Sequence, residues 1–213
     1  MKITKFGHCC LLVETKGLRI LTDPGSYSVS QNDVKDIDII LITHDHADHL
    51  HTESLQEILK NNSEARVITN SGVGEKLRKL GIEHSLLEGE ASEMVNDVLI
   101  EAFDGKHEEI YGDFGQVQNT GYFIDNKLFY PGDSFFDPEK EVDTLALPVA
   151  GPWCTIQDAV NYALRVKPKK ALPVHDGMMY GDRRGATRAV PTKFLGENGI
   201  EFIDMNEGDT KEF

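Results

Sequence analysis

The chain has 213 residues, enough for one large domain over residues 1–213 that buries about 70% of its unfolded surface, and its 36 acidic against 22 basic side chains leave a formal net charge of -14. No cluster of lysine and arginine is long enough to overcome that field, which excludes a nucleic-acid partner, and no apolar run approaches the length of a membrane span. Met1-Lys-Ile-Thr-Lys enters a strand-like pattern at once, so the expectation is a cytoplasmic protein without a signal peptide, in which Cys9, Cys10 and Cys154 are reduced, buried thiols.

Residues 1–22 alternate and turn. Segments 3–6, 9–14 and 18–22 read as antiparallel strands, with Lys16-Gly17 as a hairpin turn. His8 lies between the first two and Asp23 ends the third. Strand ends are where ligand loops gather, so both are expected to border a site, Asp23 as an orienting or turn-capping group. The run 37–42, broken only by Asp38, is β-branched and apolar, as in a strand covered on both faces. At its end comes His44-Asp-His46-Ala-Asp48-His49, three histidines and two aspartates in six residues. On an extended chain His44 and His46 project to one side. Asp48 and His49 follow on a turn, and Thr52 is placed to cap a helix with Leu55, Ile58 and Leu59 on one face. Imidazole nitrogen and carboxylate oxygen suit zinc, and also iron and manganese.

This His-x-His-x-Asp-His motif resembles the signature of the metallo-β-lactamase superfamily. The resemblance implies a four-layer αββα sandwich, two facing mixed sheets flanked by helices, with further ligands downstream. Segment 66–69 reads as a strand, and Ser71 as the cap of a helix carrying Val73, Leu77 and Leu80 and stopped by Gly81. Strands are expected at 82–86 and 98–103. His107 follows, where the superfamily pattern has a third histidine; His51 and His84 are expected to be solvated. A hairpin around Asp125-Asn126 runs into Tyr130-Pro-Gly-Asp133, which looks like the superfamily's Gly-Asp element, whose carboxylate bridges two metals. Segment 143–149 repeats in outline the run 38–43 and leads to a loop holding Trp153, in keeping with a pair of related halves. A helix from Thr155, with Asp158 three residues on, buries Ile156, Val160, Ala163 and Leu164 and ends at Lys167-Pro168. Segment 171–175 then delivers His175, beside Asp176, at a separation from Asp133 similar to that of the family's closing ligand. Segment 177–186 has no periodicity and reads as a mobile loop, in which Arg183 and Arg184 are candidates to clamp an anionic substrate. A helix near 191–195 and a strand at 200–203 close the chain.

The resemblance assigns His44, His46 and His107 to one metal, Asp48, His49 and His175 to a second, and Asp133 to both. His8, Asp23, Trp153 and Asp176 surround them, with Asp23, Thr43 or Asp176 fixing imidazole tautomers. The implied enzyme is a hydrolase with two divalent metal ions, zinc first and manganese or iron as alternatives. Its bridging hydroxide would attack a small anionic ester, lactone or phosphodiester, while Asp48 holds the nucleophile and returns its proton. Gly7-His8-Cys9 and the compact length look like the branch that contains the phosphorylated-ascorbate lactonase. Two other readings stay open: an iron oxidoreductase on the same fold, and a non-catalytic metal-binding scaffold. A homo-oligomer is also open.

Overall fold

In the computed structural model, which describes residues 1–213, the chain opens with strands β1 (Lys2–Gly7), β2 (Cys10–Thr15) and β3 (Leu18–Thr22) in an antiparallel meander. Strand β4 (Ile39–Leu41) joins β3 in parallel, and its three residues are all buried because it is covered on both faces. Helix α1 (Thr52–Asn61) leads to β5 (Arg66–Thr69), and α2 (Ser71–Lys79) to the short β6 (Ser85–Leu86), both strands again parallel. The second sheet starts with an antiparallel meander of β7 (Ser92–Val95), β8 (Val98–Lys106), β9 (Gln118–Ile124) and β10 (Leu128–Tyr130). It continues in parallel through β11 (Thr144–Pro148), helix α3 (Ile156–Val166), β12 (Lys170–Val174), helix α4 (Gly185–Gly196) and β13 (Glu201–Phe202). Strand β14 (Thr210–Glu212) returns to pair with β1. The two seven-stranded sheets run in the orders β14-β1-β2-β3-β4-β5-β6 and β13-β12-β11-β10-β9-β8-β7.

Three apolar clusters separate four layers. The largest lies between the sheets, where Ile3, Leu11, Val13, Ile20 and Ile39 meet Ile100, Tyr122, Ile124, Leu128 and Ala146. A second packs Leu55, Ile58, Val73 and Leu77 of α1 and α2 against Leu12, Leu21, Ile40 and Val67. The third packs Ala159, Tyr162, Ala163 and Leu195 of α3 and α4 against Phe129, Leu145, Leu147 and Ala171. The fold is the expected αββα sandwich of facing mixed sheets. No helix is long and apolar enough to cross a membrane.

Several local expectations are corrected. The caps of α1 and α2 are His51, which accepts from Ser54 N–H, and Asn70, which accepts from Val73 N–H, rather than Thr52 and Ser71; each helix starts at the residue expected to precede it. His51 is therefore half-buried as a cap and not simply solvated. Segment 177–186 is not a structureless loop: it holds a 3₁₀ turn at Gly181–Arg183, and α4 begins at Gly185, well before Pro191. Strands β7 and β14 leave no periodic signal in the sequence because their residues are largely exposed and form strands only by pairing with β8 and β1.

Candidate metal centre

The ends of β4, β8, β10 and β12 meet at one edge of the sandwich, and each delivers part of the predicted set. Two glycines make the approach possible. A Cβ on Gly25 would lie 1.7 Å from the carbonyl oxygen of Asp48, so only glycine lets the loop after β3 lie against the ligand turn. Gly132 has φ +65°, and a Cβ there would lie 2.2 Å from Asn119 Oδ1. Asn119 shapes this turn: its Oδ1 accepts from Asp133 N–H at 3.0 Å and its Nδ2 donates to Pro131 O at 2.8 Å. His8 (φ 40°), Asp23 (φ 35°) and His175 (φ 61°) are held in the left-handed region, a concentration of backbone strain that the packing around them sustains.

Asp133, buried, is the common neighbour. His175 Nε2 lies 2.9 Å and His107 Nε2 3.2 Å from its Oδ2, His49 Nε2 lies 3.0 Å from its Oδ1, and His44 Nε2 lies 3.7 Å from Oδ2. The donor atoms of His44, His46, His107 and Asp133 all fall within 4.8 Å of one another. Asp48 Oδ2 approaches His175 Nε2 at 3.6 Å and is the more exposed carboxylate of the pair.

Four of the five imidazoles, those of His44, His49, His107 and His175, are pinned from behind by their other nitrogen. His175 Nδ1 donates to Ala150 O at 2.7 Å, and His107 Nδ1 to Glu108 O at 2.7 Å. His49 Nδ1 donates to Asp23 Oδ2 at 2.7 Å. His44 Nδ1 donates to Thr43 Oγ1 at 3.0 Å, and that hydroxyl donates to Asp23 Oδ2 at 2.7 Å. Asp23 is fully buried; it also accepts from Tyr130 Oη at 2.8 Å and from Thr43 N–H at 2.8 Å. With the Nδ1 protons so placed, the Nε2 lone pairs of these rings face inward. Nε2 of His44, His49 and His175 and Oδ1 of Asp133 have no hydrogen-bond partner despite these short separations. Buried acceptors aimed at one another repel unless a cation lies among them. The donor set therefore fits divalent metal.

The electrostatics agree. Burial drives His44 well below the ordinary imidazole value. Burial opposes ionisation of Asp133, and His175, His49 and His44 around it more than offset that, holding its carboxyl well below the usual range. Burial would also lower His49, but Asp133, Cys9 and Asp23 raise it well above the ordinary value. The pocket between the carboxylates thus demands positive charge.

His8 sits beside the set without joining it. Its Nδ1 accepts from Gly177 N–H at 3.0 Å, which leaves Nε2–H to donate to Asp48 Oδ2 at 3.1 Å. Both nitrogens are engaged. Burial pushes His8 down to about 4, and the hydrogen bond from His8 helps hold Asp48 below the usual carboxylate range against its own burial. Cys9 is close to His49 and His175, but burial pushes its thiol up to about 12, so Asp48 is the better third donor there. Trp153 closes the wall with its ring centroid 5.8 Å from that of His107 and 5.1 Å from that of His175.

Asp176 corrects an expectation: it touches no imidazole. Lys5 Nζ donates to its Oδ1 at 2.8 Å, Arg188 donates to its Oδ2, and Arg184 lies 3.8 Å away. Arg184 is thereby turned toward Asp176. Arg183 is exposed, with its guanidinium 4.6 Å from the centroid of the Tyr180 ring and its nearest carboxylate the adjacent Asp182 at 3.9 Å. Asn119, Tyr130, Lys5 and Arg188 were not singled out in the sequence; Asn119 and Tyr130, flanking Pro131-Gly-Asp133 across a hairpin, carried the only signal.

Comparison with known proteins fits this geometry. Residues 2–175 match the beta-lactamase superfamily domain. Protein Rv0786c of Mycobacterium tuberculosis is 34% identical over 194 residues, covering 87% of this chain and 88% of that protein. A UPF0173 metal-dependent hydrolase of Alkaliphilus metalliredigens is 31% identical over 194 residues, covering 82% of this chain and 85% of that one. A crystal structure from Parabacteroides distasonis superimposes with a TM-score of 0.77 at 26% identity, over 97% of this chain and 93% of that one.

Proposed function

The chain belongs to the metallo-β-lactamase superfamily and is a metal-dependent hydrolase; on that premise we propose that it cleaves a small anionic ester, lactone or phosphodiester at a two-metal centre. His44, His46 and His107 would hold one ion, Asp48, His49 and His175 the other, and Asp133 would serve both. Zinc suits this donor set first, manganese or iron second. Bound divalent ions supply Lewis acidity and a water whose pKa is lowered toward neutrality.

The chain's own groups do the rest. Asp133, ionised and buried, keeps its oxygens turned to the two groups of imidazoles. Asp23 and Thr43 fix the tautomers of His44 and His49, so their lone pairs are placed before substrate arrives. Asp48 is ionised at neutral pH, steered by His8, and partly open to solvent. It is the carboxylate placed to hold the attacking water by a proton and later pass that proton to the leaving group. Trp153 shields His107 and His175 from bulk water. Arg183, exposed and only loosely paired with Asp182, is the cation offered to the substrate's negative charge.

The observation that carries this reading is the convergence of four buried, back-pinned imidazoles on Asp133, with the Nε2 atoms of His44, His49 and His175 lacking partners. The test is elemental analysis of protein purified without added metal, followed by a screen of lactones and phosphodiesters. About two zinc or manganese ions per chain and turnover in that screen are expected. One iron per chain would move the reaction to oxygen or sulfur chemistry, and no metal after reconstitution would remove the centre.

A further inference from the structure

Cys9 and Cys10 are neighbours in sequence with different surroundings. Cys10 joins the apolar cluster beneath α1 and α2, whereas Cys9 joins the cluster between the sheets and is 2% exposed. Successive side chains on extended backbone part in this way, and here the parting carries one sulfur to the candidate metal centre. The Cys9 thiol and the imidazole donor atoms of His8, His49 and His175 all lie within 4.8 Å of one another. Nε2 of His49 and Nε2 of His175 are buried without a hydrogen-bond partner, while both nitrogens of His8 are engaged. The backbone fixes the sulfur's place: the carbonyl of Cys9 accepts from Thr22 Oγ1 at 3.0 Å, and that of His8 accepts from His175 N–H at 3.2 Å. Asp48 reaches the same His175 Nε2 from a part-exposed position. A buried thiol among these imidazoles has no part in the hydrolytic scheme, which the carboxylates and imidazoles complete without it.

We propose that Cys9 gives the second metal position a sulfur donor, so that the position it shares with His49 and His175 takes a thiophilic divalent ion, of which cadmium is the probe, as a thiolate complex. The inference rests on the two-metal reading above and extends it to the choice of metal. Thiolate is a soft ligand and favours thiophilic ions over the harder ones that suit carboxylate and water. A tetrahedral ion with sulfur at about 2.3 Å and nitrogen at about 2.1 Å holds those donors roughly 3.6 Å apart. Cys9, His49 and His175 therefore need only close up within the span they already occupy. On binding, the S–H bond breaks, the sulfur donates its electron pair to the ion and the proton leaves to solvent, with nothing oxidised or reduced. Harder ions keep Asp48 as their third donor, and the sulfur is offered to those that prefer it.

The full chain, stripped of metal by a chelator, would be titrated with cadmium chloride and followed in the ultraviolet, where a thiolate–cadmium bond gives a charge-transfer band that oxygen and nitrogen ligands do not. The band is expected in the wild type and in a Cys10→Ser/Cys154→Ser double variant, in which Cys9 is the only thiol left. Cys9→Ser, with its fold checked by circular dichroism, is expected to lose the band. Its ratio of cadmium to zinc affinity should fall about 100-fold, one ligand's share of the binding free energy of a metal site. Cadmium bound without the band, a band that survives in Cys9→Ser, or an equal affinity ratio in the two proteins overturns the proposal and leaves the two-metal reading standing. Should Cys9→Ser not fold, the double variant decides, because a band missing from it also overturns the proposal. No binding of either cadmium or zinc by the wild type overturns the metal centre, and the sulfur ligand with it.

Discussion

Asp133 and Asp176 are both buried carboxylates just beyond strands of the second sheet, β10 and β12, and their surroundings are opposite. Asp176 is met by built-in cations: Lys5, Arg188 and, at longer range, Arg184. Burial raises its pKa, and Lys5 and Arg188 more than offset that, so its carboxyl sits below the usual range. Asp133 is met by imidazole lone pairs, and its Oδ1 has no hydrogen-bond partner. A buried carboxylate alone therefore does not mark a reactive site. What marks it is a donor set that is complete except for its positive charge.

Asp133→Asn tests the first half of that contrast and carries the largest expected effect. It is expected to lower turnover about 1,000-fold, roughly 4 kcal/mol of barrier, and to deplete metal in elemental analysis while the circular dichroism spectrum keeps its shape. Full two-metal occupancy in this variant would collapse the distinction between the two aspartates. Asp176→Asn is expected to do the reverse. Leaving Lys5 buried without its counter-charge costs about 3 kcal/mol of stability, read as a lower melting temperature, with metal content retained.

Acid sharpens the same contrast. Because the folded-state pKa of Asp176 is depressed, the stability it contributes is present above the ordinary carboxylate pKa and is lost as pH falls through the folded value. Melting of the wild type should therefore fall more steeply than that of Asp176→Asn between about pH 5 and pH 2. Parallel acid limbs would show that Asp176 gains nothing from its cations.

Asp23→Asn comes next. It removes the charge of the acceptor shared by His49 and Thr43 while leaving every proposed ligand in place, and an expected loss of about 10- to 100-fold in metal affinity, measured by competition with a chelating dye, separates orientation from ligation. Unchanged affinity would mean that packing alone sets those rings. The smallest effect belongs to Arg183→Ala, which should raise KM for an anionic substrate about fivefold, near 1 kcal/mol for an exposed charge, with kcat held. An unchanged KM would leave Arg183 as a cation stacked on Tyr180.

Much of the fold was legible because burial leaves short-range patterns. The apolar run 37–42 read as a doubly covered strand, and Thr155 with Asp158 read as a helix start that the structure completes as a reciprocal capping box. The start of α4 was not legible: it has no side-chain cap, begins at a glycine and contains Pro191, so its helical state comes from docking on α3 and β13. Strand β14 is wholly exposed and exists through its pairing with β1. In the candidate site, residue types and strand-end positions were readable, whereas Asp176 looked like an imidazole partner and is instead the anchor of a charge cluster.

By itself the sequence determined which donors stand at which strand ends, since His44, His46, Asp48 and His49 occupy one turn and are neighbours in any fold that keeps it. Only the tertiary structure decided which nitrogen of each ring faces inward and which carboxylate has a cation of its own. Tyr130 meets Asp23 across 107 positions and Lys5 meets Asp176 across 171. Local periodicity reaches only a few residues along the chain, and contacts this distant are set by how the two sheets pack.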